Sequence, residues 1–228
     1  AVSPFARYME DHPDAGILFC RLLNSDGSLQ PSVNPFLPHP AHMLAETIGW
    51  STLRFALMRS RAAKRLLLGP SVRRHGRPHE PAWGGGNFML MRRKDFLRIG
   101  GFDEQYFLYF EDADLCRRVA TSGLRLQYLP GPSVIHHWAK SVPTADVNPL
   151  LENYRSRLHY VAKHFGPRWW SVVRRSSILE LWLRIGVLRC AMHGRRRESR
   201  QAQLHHHLLA LKALKDARMP PASPAATV

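Results

Sequence analysis

The spacing of apolar residues changes several times along the chain, and each change predicts an element. Ser3 followed by Pro4 reads as an N-cap with proline in the first turn, so a short helix should run to about Glu10 before Pro13 stops it. The unbroken apolar run Gly16 to Leu23 predicts a buried strand, ended by the turn residues Asn24-Ser25-Asp26-Gly27. Pro31, Pro35, Pro38 and Pro40 keep the next segment extended. From about Met43 to Leu68 the spacing is helical, with Arg54, Arg59, Arg61, Lys64 and Arg65 on the polar side, and Gly69-Pro70 is expected to end that helix. The basic, proline-containing stretch 71–82 reads as a mobile loop. Asn87 to Met91 predicts a strand, and Arg93 to Ile99 one or two helical turns closed by Gly100-Gly101. Glu111 to Ser122 predicts a helix with Leu115, Cys116, Val119 and Ala120 on one apolar face and Gly123 at its stop. Leu126–Leu129 and Val134–Ile135 read as two short strands.

Beyond residue 150 only helical spacing remains. Leu151 to Phe165 is amphipathic, Gly166-Pro167 breaks it, and Trp169 to Met192 is apolar on most sides. A third helix runs through Leu204, Leu208, Leu211 and Leu214. The pattern therefore predicts an α/β unit over residues 1–150, a basic amphipathic helical extension over 151–219, and a disordered tail over 220–228.

Composition adds one asymmetry. Of 228 residues 45% are hydrophobic and 22% charged, as in ordinary globular proteins, but the formal charge is +16. Residues 151–228 hold 15 Lys/Arg against 4 Asp/Glu and so carry +11 of that excess. A basic, separate extension implies an acidic partner. Trp169-Trp170, the apolar stretch Ile178 to Met192 and the arginines at 174, 175, 184, 189 and 195–197 fit an interfacial helix on an anionic membrane surface. Nucleic acid is the rival partner for so basic a chain, but no nucleic-acid motif is present and the apolar face is broad. Packing of these helices on the rest of the chain or on a second subunit is the plain alternative. Cys20, Cys116 and Cys190 show no CxxC spacing and read as reduced core residues of a cytosolic protein.

Three clusters between Trp83 and Ser141 could carry chemistry. Gly84-Gly85-Gly86-Asn87 lets the backbone approach a ligand closely, but lacks both the Gly-Lys-Ser/Thr of a P-loop and a dinucleotide fingerprint. Trp83 and Phe88 beside it could stack on a sugar or simply belong to the core. Glu111, Asp112 and Asp114 open the predicted helix, where its dipole favours ionised carboxylates; acids capping a helix would look the same. Asp114 lies three residues from Arg117 and four from Arg118, so an intrahelical ion pair and a structural role are expected of it. His136 and His137 are adjacent on a predicted strand, so only one can face a given site. His205-His206-His207 fan too widely around a helix to chelate one ion. No HExxH or comparable ligand set exists, which argues against a metallohydrolase.

The succession Gly85-Gly86-Asn87, then Gly100-Gly101-Phe102-Asp103-Glu104 running on to Glu111-Asp112-Ala113-Asp114-Leu115 and Arg118, then His136-His137 with Ser141, resembles the C-terminal half of family-2 inverting glycosyltransferases of GT-A fold, in their rhamnosyltransferase-like branch. The resemblance covers roughly residues 1 to 165. It differs at Trp138-Ala139-Lys140, where glycines are common in the family. It implies a partial GT-A domain, with Asp112 as catalytic base, Glu111 assisting, and Trp83, Gly85, Gly86 and Asn87 around the acceptor. His136, His137 and Ser141 would meet the donor diphosphate, with His136 touching a divalent metal, Mg²⁺ or Mn²⁺. The implied partners are a nucleotide-sugar donor and a lipid-linked or polysaccharide acceptor, and the implied location is the cytoplasmic face of the inner membrane. The family's donor half, with its Asp-x-Asp, would precede Ala1, so a longer protein is expected. A membrane-surface or partner-binding module without turnover is the other reading of the same chain.

Overall fold

The computed structural model describes residues 3–47, 69–137, 147–190 and 197–220. Its centre is β1 (Ala15–Leu23), whose apolar run is buried on both faces as the sequence predicts. Ile17 and Phe19 face one cluster with Leu115, Cys116 and Val119, while Leu18, Cys20 and Leu22 face another with Phe5 and Met9 of α1 (Ser3–Asp11). The sheet is mixed. Strand β2 (Leu29–Gln30) and β5 (Leu90–Met91) pair antiparallel with the two ends of β1, and β6 (Arg125–Ile135) runs parallel to it throughout. A separate ribbon joins β3 (Val33–Asn34) to β4 (Trp83–Gly84). Together with the helices this is the expected α/β class and agrees with a partial GT-A domain.

Two glycines set how closely the layers approach. A Cβ on Gly84 would stand 2.5 Å from the Phe19 ring, and one on Gly16 would stand 2.6 Å from Val119. Gly84→Ala is expected to cost about 1–3 kcal/mol by overpacking. Thermal unfolding checks this, and an unchanged midpoint would contradict it.

Several local expectations change in three dimensions. Residues 69–74 are helical, so Gly69-Pro70 does not end the helical region there; residues 48–68 lie outside the described residues. The stretch 71–82 is not a free loop. His75 is buried, accepting from the Ser32 and Val33 amides while its Nδ1 faces the Ser71 carbonyl, and His79 bridges to Tyr128. Only Leu90–Met91 of the strand predicted over 87–91 pairs, because Gly85 to Ser32 and the Asn87 side chain hold the preceding residues in a turn. The two strands predicted at 126–135 are one, with a register shift past Pro130-Gly131-Pro132, whose prolines have no N–H for the ladder.

Helix α2 (Pro40–Thr47) follows the proline-rich segment, and α3 (Arg93–Ile99) closes at Gly100 and Gly101, with φ of 85° and 64°. Helix α4 (Glu111–Thr121) buries Ala113, Leu115, Cys116 and Val119, whereas Ala120 is exposed because its side faces away from the sheet. The long α5 (Pro149–Cys190) changes direction at Gly166, where φ 80° and ψ −175° are not helical. Its second half packs on α6 (Arg197–Asp216) through Val173, Leu181, Ile185, Leu211 and Leu214. Trp170 is buried in that contact rather than turned outward. Cys20 and Cys116 are core residues as expected, but Cys190 is exposed near the end of α5. The segment 221–228 lies outside the described residues.

Candidate active site

The parallel strands β1 and β6 end together, with the His136 amide donating to the Leu23 carbonyl at 2.9 Å. The carboxyl ends of parallel strands are where α/β sheets hold ligands. Here two loops converge on that edge. From β4 the chain turns through Gly85, Gly86 and Asn87, and from the other side α4 brings Glu111 and Asp112.

Asp112 faces the glycine bend. Its Oδ2 accepts from the Gly86 amide at 3.1 Å and its Oδ1 from the Ala113 amide at 2.7 Å. A Cβ on Gly85 would stand 2.6 Å from Asn87 Oδ1, so the bare backbone there is what lets the Asn87 side chain fold across the bend, and 3.8 Å from the same Asp112 Oδ2, an ordinary contact. Burial raises the Asp112 carboxyl above the usual aspartate range, against the lowering pull of the Ala113 and Gly86 amides. The expectation from sequence is that the helix dipole favours the ionised form; desolvation, which favours the neutral one, is the larger effect. Glu111 is also raised, first by burial and then by the charge of Asp112, and its Oε2 is buried without a hydrogen-bond partner among the described residues.

The bend connects onward to the histidines. Asn87 Nδ2 donates to His136 Nε2 at 2.8 Å, which leaves the ring proton on Nδ1, 3.2 Å from Gln30 Oε1. His137 turns elsewhere, its Nδ1 lying 2.8 Å from Ser25 Oγ. Both histidines lie just past the end of β6 rather than on it, yet they still diverge as adjacent residues should. Thus Asp112, Gly86, Asn87 and His136 form one continuous chain of hydrogen-bonded residues, with His137 beside it. Ser141 falls outside the described residues. Trp83 is held by its indole N–H on the Phe36 carbonyl at 3.0 Å and packs into two core clusters, while Phe88 packs on Phe5.

Asp114 points away from this chain and is fully buried. Arg118 Nε donates to its Oδ2 at 2.8 Å, the expected intrahelical pair, but Lys163 Nζ (2.9 Å) and His164 Nε2 (2.7 Å) from α5 reach it too. Arg117 instead lies over the Phe165 ring at 4.7 Å. Burial pushes the Asp114 carboxyl up, but the bonds from His164 and Lys163 and the charge of Arg118 prevail and hold it well below the usual range. Asp103 receives Lys163 at 2.7 Å and His159 at 3.2 Å. Gln30, Ser25, Lys163 and His164 carry no signal in local spacing, since their partners lie 49 to 112 residues away.

Just before α4, Tyr109 and Phe110 have φ of 70° and 68°. Non-glycine residues in that region cost roughly 1–3 kcal/mol each and persist where the surroundings impose them.

No group of three or more His, Cys, Asp or Glu among the described residues is arranged to hold a metal ion. His136 could supply one nitrogen, and the one free to accept is engaged by Asn87. The described residues therefore do not make a metal site by themselves.

Known proteins are similar to this chain. A family model described as the N-terminal domain of galactosyltransferase matches residues 74–140, which include the glycine bend, the acidic pair and both histidines. An N-acetylglucosaminyl-diphospho-decaprenol L-rhamnosyltransferase of Mycobacterium tuberculosis is 29% identical over 205 residues, covering 85% of this chain and 61% of the relative. The chain thus spans about three fifths of that curated relative's length. Rhamnosyltransferase WbbL of Escherichia coli K12 is 51% identical over 55 residues, 24% of this chain and 21% of its own length. A long, moderate match to one rhamnosyltransferase and a short, strong match to another make this chain similar to family-2 glycosyltransferases of the rhamnosyltransferase-like branch.

Proposed function

We propose that the full-length protein is an inverting glycosyltransferase that moves a sugar, rhamnose by analogy with its relatives, from a nucleotide-sugar donor to a sugar-diphospho-polyprenol acceptor. The observation that carries this reading is the Asp112 carboxylate against the Gly86 amide, one residue from the Asn87–His136 contact. Asp112 removes the proton from the acceptor hydroxyl while that oxygen forms the new bond to the anomeric carbon. The bond to the nucleoside diphosphate breaks on the opposite face, and the diphosphate leaves with its electron pair. The raised Asp112 carboxyl is suited to this task, because a base works best with a pKa nearer the working pH. Glu111 and the Gly85–Asn87 bend position the acceptor; His136, His137 and Ser141 attend the leaving diphosphate. A divalent ion, Mg²⁺ or Mn²⁺, would draw most of its ligands from the donor phosphates and at most His136 from these residues. Incubating the full-length protein with nucleotide sugars and a short polyprenyl-diphosphate sugar acceptor tests the reading. Donor-dependent glycosylation of the lipid with an inverted anomeric centre is expected; no transfer with any nucleotide sugar would reject it.

The helical extension gives the second part of the proposal, a seat on the cytoplasmic face of an anionic membrane, where such an acceptor is anchored. Among the described residues no helix is long and apolar enough to cross a membrane. Instead Val172, Leu179, Leu183 and Val187 of α5 are exposed, at 42 to 69%, on the side opposite the one packed on α6, and Trp182, half-exposed at their edge, lies against Lys215 of α6. An apolar stripe on a strongly basic element is the pattern of an interfacial helix. The protein should co-sediment with vesicles containing anionic lipid, less so at high salt, and Leu179→Glu/Leu183→Glu should weaken binding by roughly tenfold or more. Absence of binding at low and high salt would exclude the membrane seat.

A further inference from the structure

The left-handed pair Tyr109-Phe110 lies in the turn that leads from Leu108 into α4. Positive φ at two successive central residues is the geometry that Asn-Gly ordinarily fills, and here two aromatic residues occupy it. No side chain caps the helix that follows; its first backbone bond runs from the Asp114 amide to the Phe110 carbonyl at 2.8 Å. The direction in which α4 starts, and so the place of Asp112, depends on what keeps this turn left-handed.

The holding contacts come from one stretch of α5. Ser156, itself buried, donates its hydroxyl to the Leu108 carbonyl at 2.7 Å. The Tyr160 ring stacks at a tilt on Phe110, 5.5 Å between centroids. Lys163 spans from Asp103 before the turn to Asp114 after it, and His159 and His164 add one bond at each side. These five side chains fall within residues 156–164, about two and a half turns of a single helix.

We infer that Ser156 is a positioning residue: by fixing the Leu108 carbonyl it holds the left-handed turn, and the turn presents the Asp112 carboxylate to the Gly86 amide. Ser156 makes none of the hydrogen bonds that join Asp112 to Gly86 or Asn87 to His136; it acts through backbone geometry. The helix from Pro149 is then part of the catalytic unit as well as the start of the basic extension. The activity readout of this inference rests on the transferase reading above.

A double-mutant cycle tests it in the full-length protein. Ser156→Ala removes one hydroxyl and should lower kcat about tenfold, the scale of one buried hydrogen bond. In a Tyr109→Gly background the same change should cost less than about twofold, because glycine takes positive φ without outside help. Any direct effect of Tyr109→Gly cancels in the cycle. Hydrogen exchange of the Asp114 amide gives a readout that needs no turnover: Ser156→Ala should speed it, and Tyr109→Gly should restore it. If the wild-type protein transfers no sugar, the transferase reading fails while exchange still decides the positioning role. Equal losses of kcat in both backgrounds, or an Asp114 amide that Ser156→Ala leaves unchanged, would overturn the inference.

Discussion

Asp112→Asn is expected to reduce sugar transfer by the full-length protein by about 10²–10⁴-fold, the usual contribution of a general base. The amide is nearly isosteric, and its oxygen can still accept from the Gly86 amide, which donates to Asp112 at 3.1 Å. The bend should therefore stay in place, with little change in unfolding midpoint or in KM for the donor. What disappears is the group that takes the acceptor proton in the proposed reaction. A loss of this size in kcat with an intact fold fits a base; a comparable fall in stability would make Asp112 structural, and near-normal turnover would remove it from the chemistry.

The largest effect on stability should come from Asp114→Ala. The Asp114 side chain is fully buried against Arg118, Lys163 and His164, and removing it leaves the largely buried Arg118 with no carboxylate, only the Ile99 and Gly101 carbonyls, and Lys163 with Asp103 alone. Breaking a buried pair in this way costs about 3–5 kcal/mol, which in a protein of this size lowers the unfolding midpoint by roughly 10 °C. The pH dependence has a definite sign. Because the folded Asp114 carboxyl lies below its unfolded value, its contribution is present above the ordinary aspartate range and is lost as pH falls through the lower, folded value. Acid unfolding should then be steeper in the wild type than in Asp114→Ala, and parallel curves would show that the network adds no stability.

The two aspartates, two residues apart on one helix, also show where sequence reading succeeds and stops. Adjacency in the chain is enough to predict α4 and an ion pair from Asp114 to Arg117 or Arg118, since both follow from helical spacing, while packing decides for Arg118. The apolar run of β1, the Gly100-Gly101 stop and the Gly166 break are likewise local, and each is found where the residues place it. The resemblance adds the order of the clusters, but no periodicity could bring Asn87 to His136 or Gln30 to His136, contacts that exist only because β1 and β6 run parallel. Trp170 misleads for the same reason: its composition suits an interface, while the packing of α6 decides that it is buried and Trp182 exposed. The hold of α5 on the acidic turn is invisible in sequence, where residues 151–165 show only an amphipathic pattern. His75 is similar, a histidine in a basic proline-rich stretch that tertiary contacts turn into a buried acceptor.

Burial of Asp112 makes the pH dependence of kcat the sharpest single measurement. With saturating donor and acceptor, wild-type kcat should fall in acid along a limb centred above the ordinary aspartate range, because the proposed reaction uses the ionised carboxylate and desolvation raises its pKa. The residual activity of Asp112→Asn should lack that limb. The same acid limb in wild type and variant would mean that another group takes the proton, and that the carboxylate against the Gly86 amide is not the base.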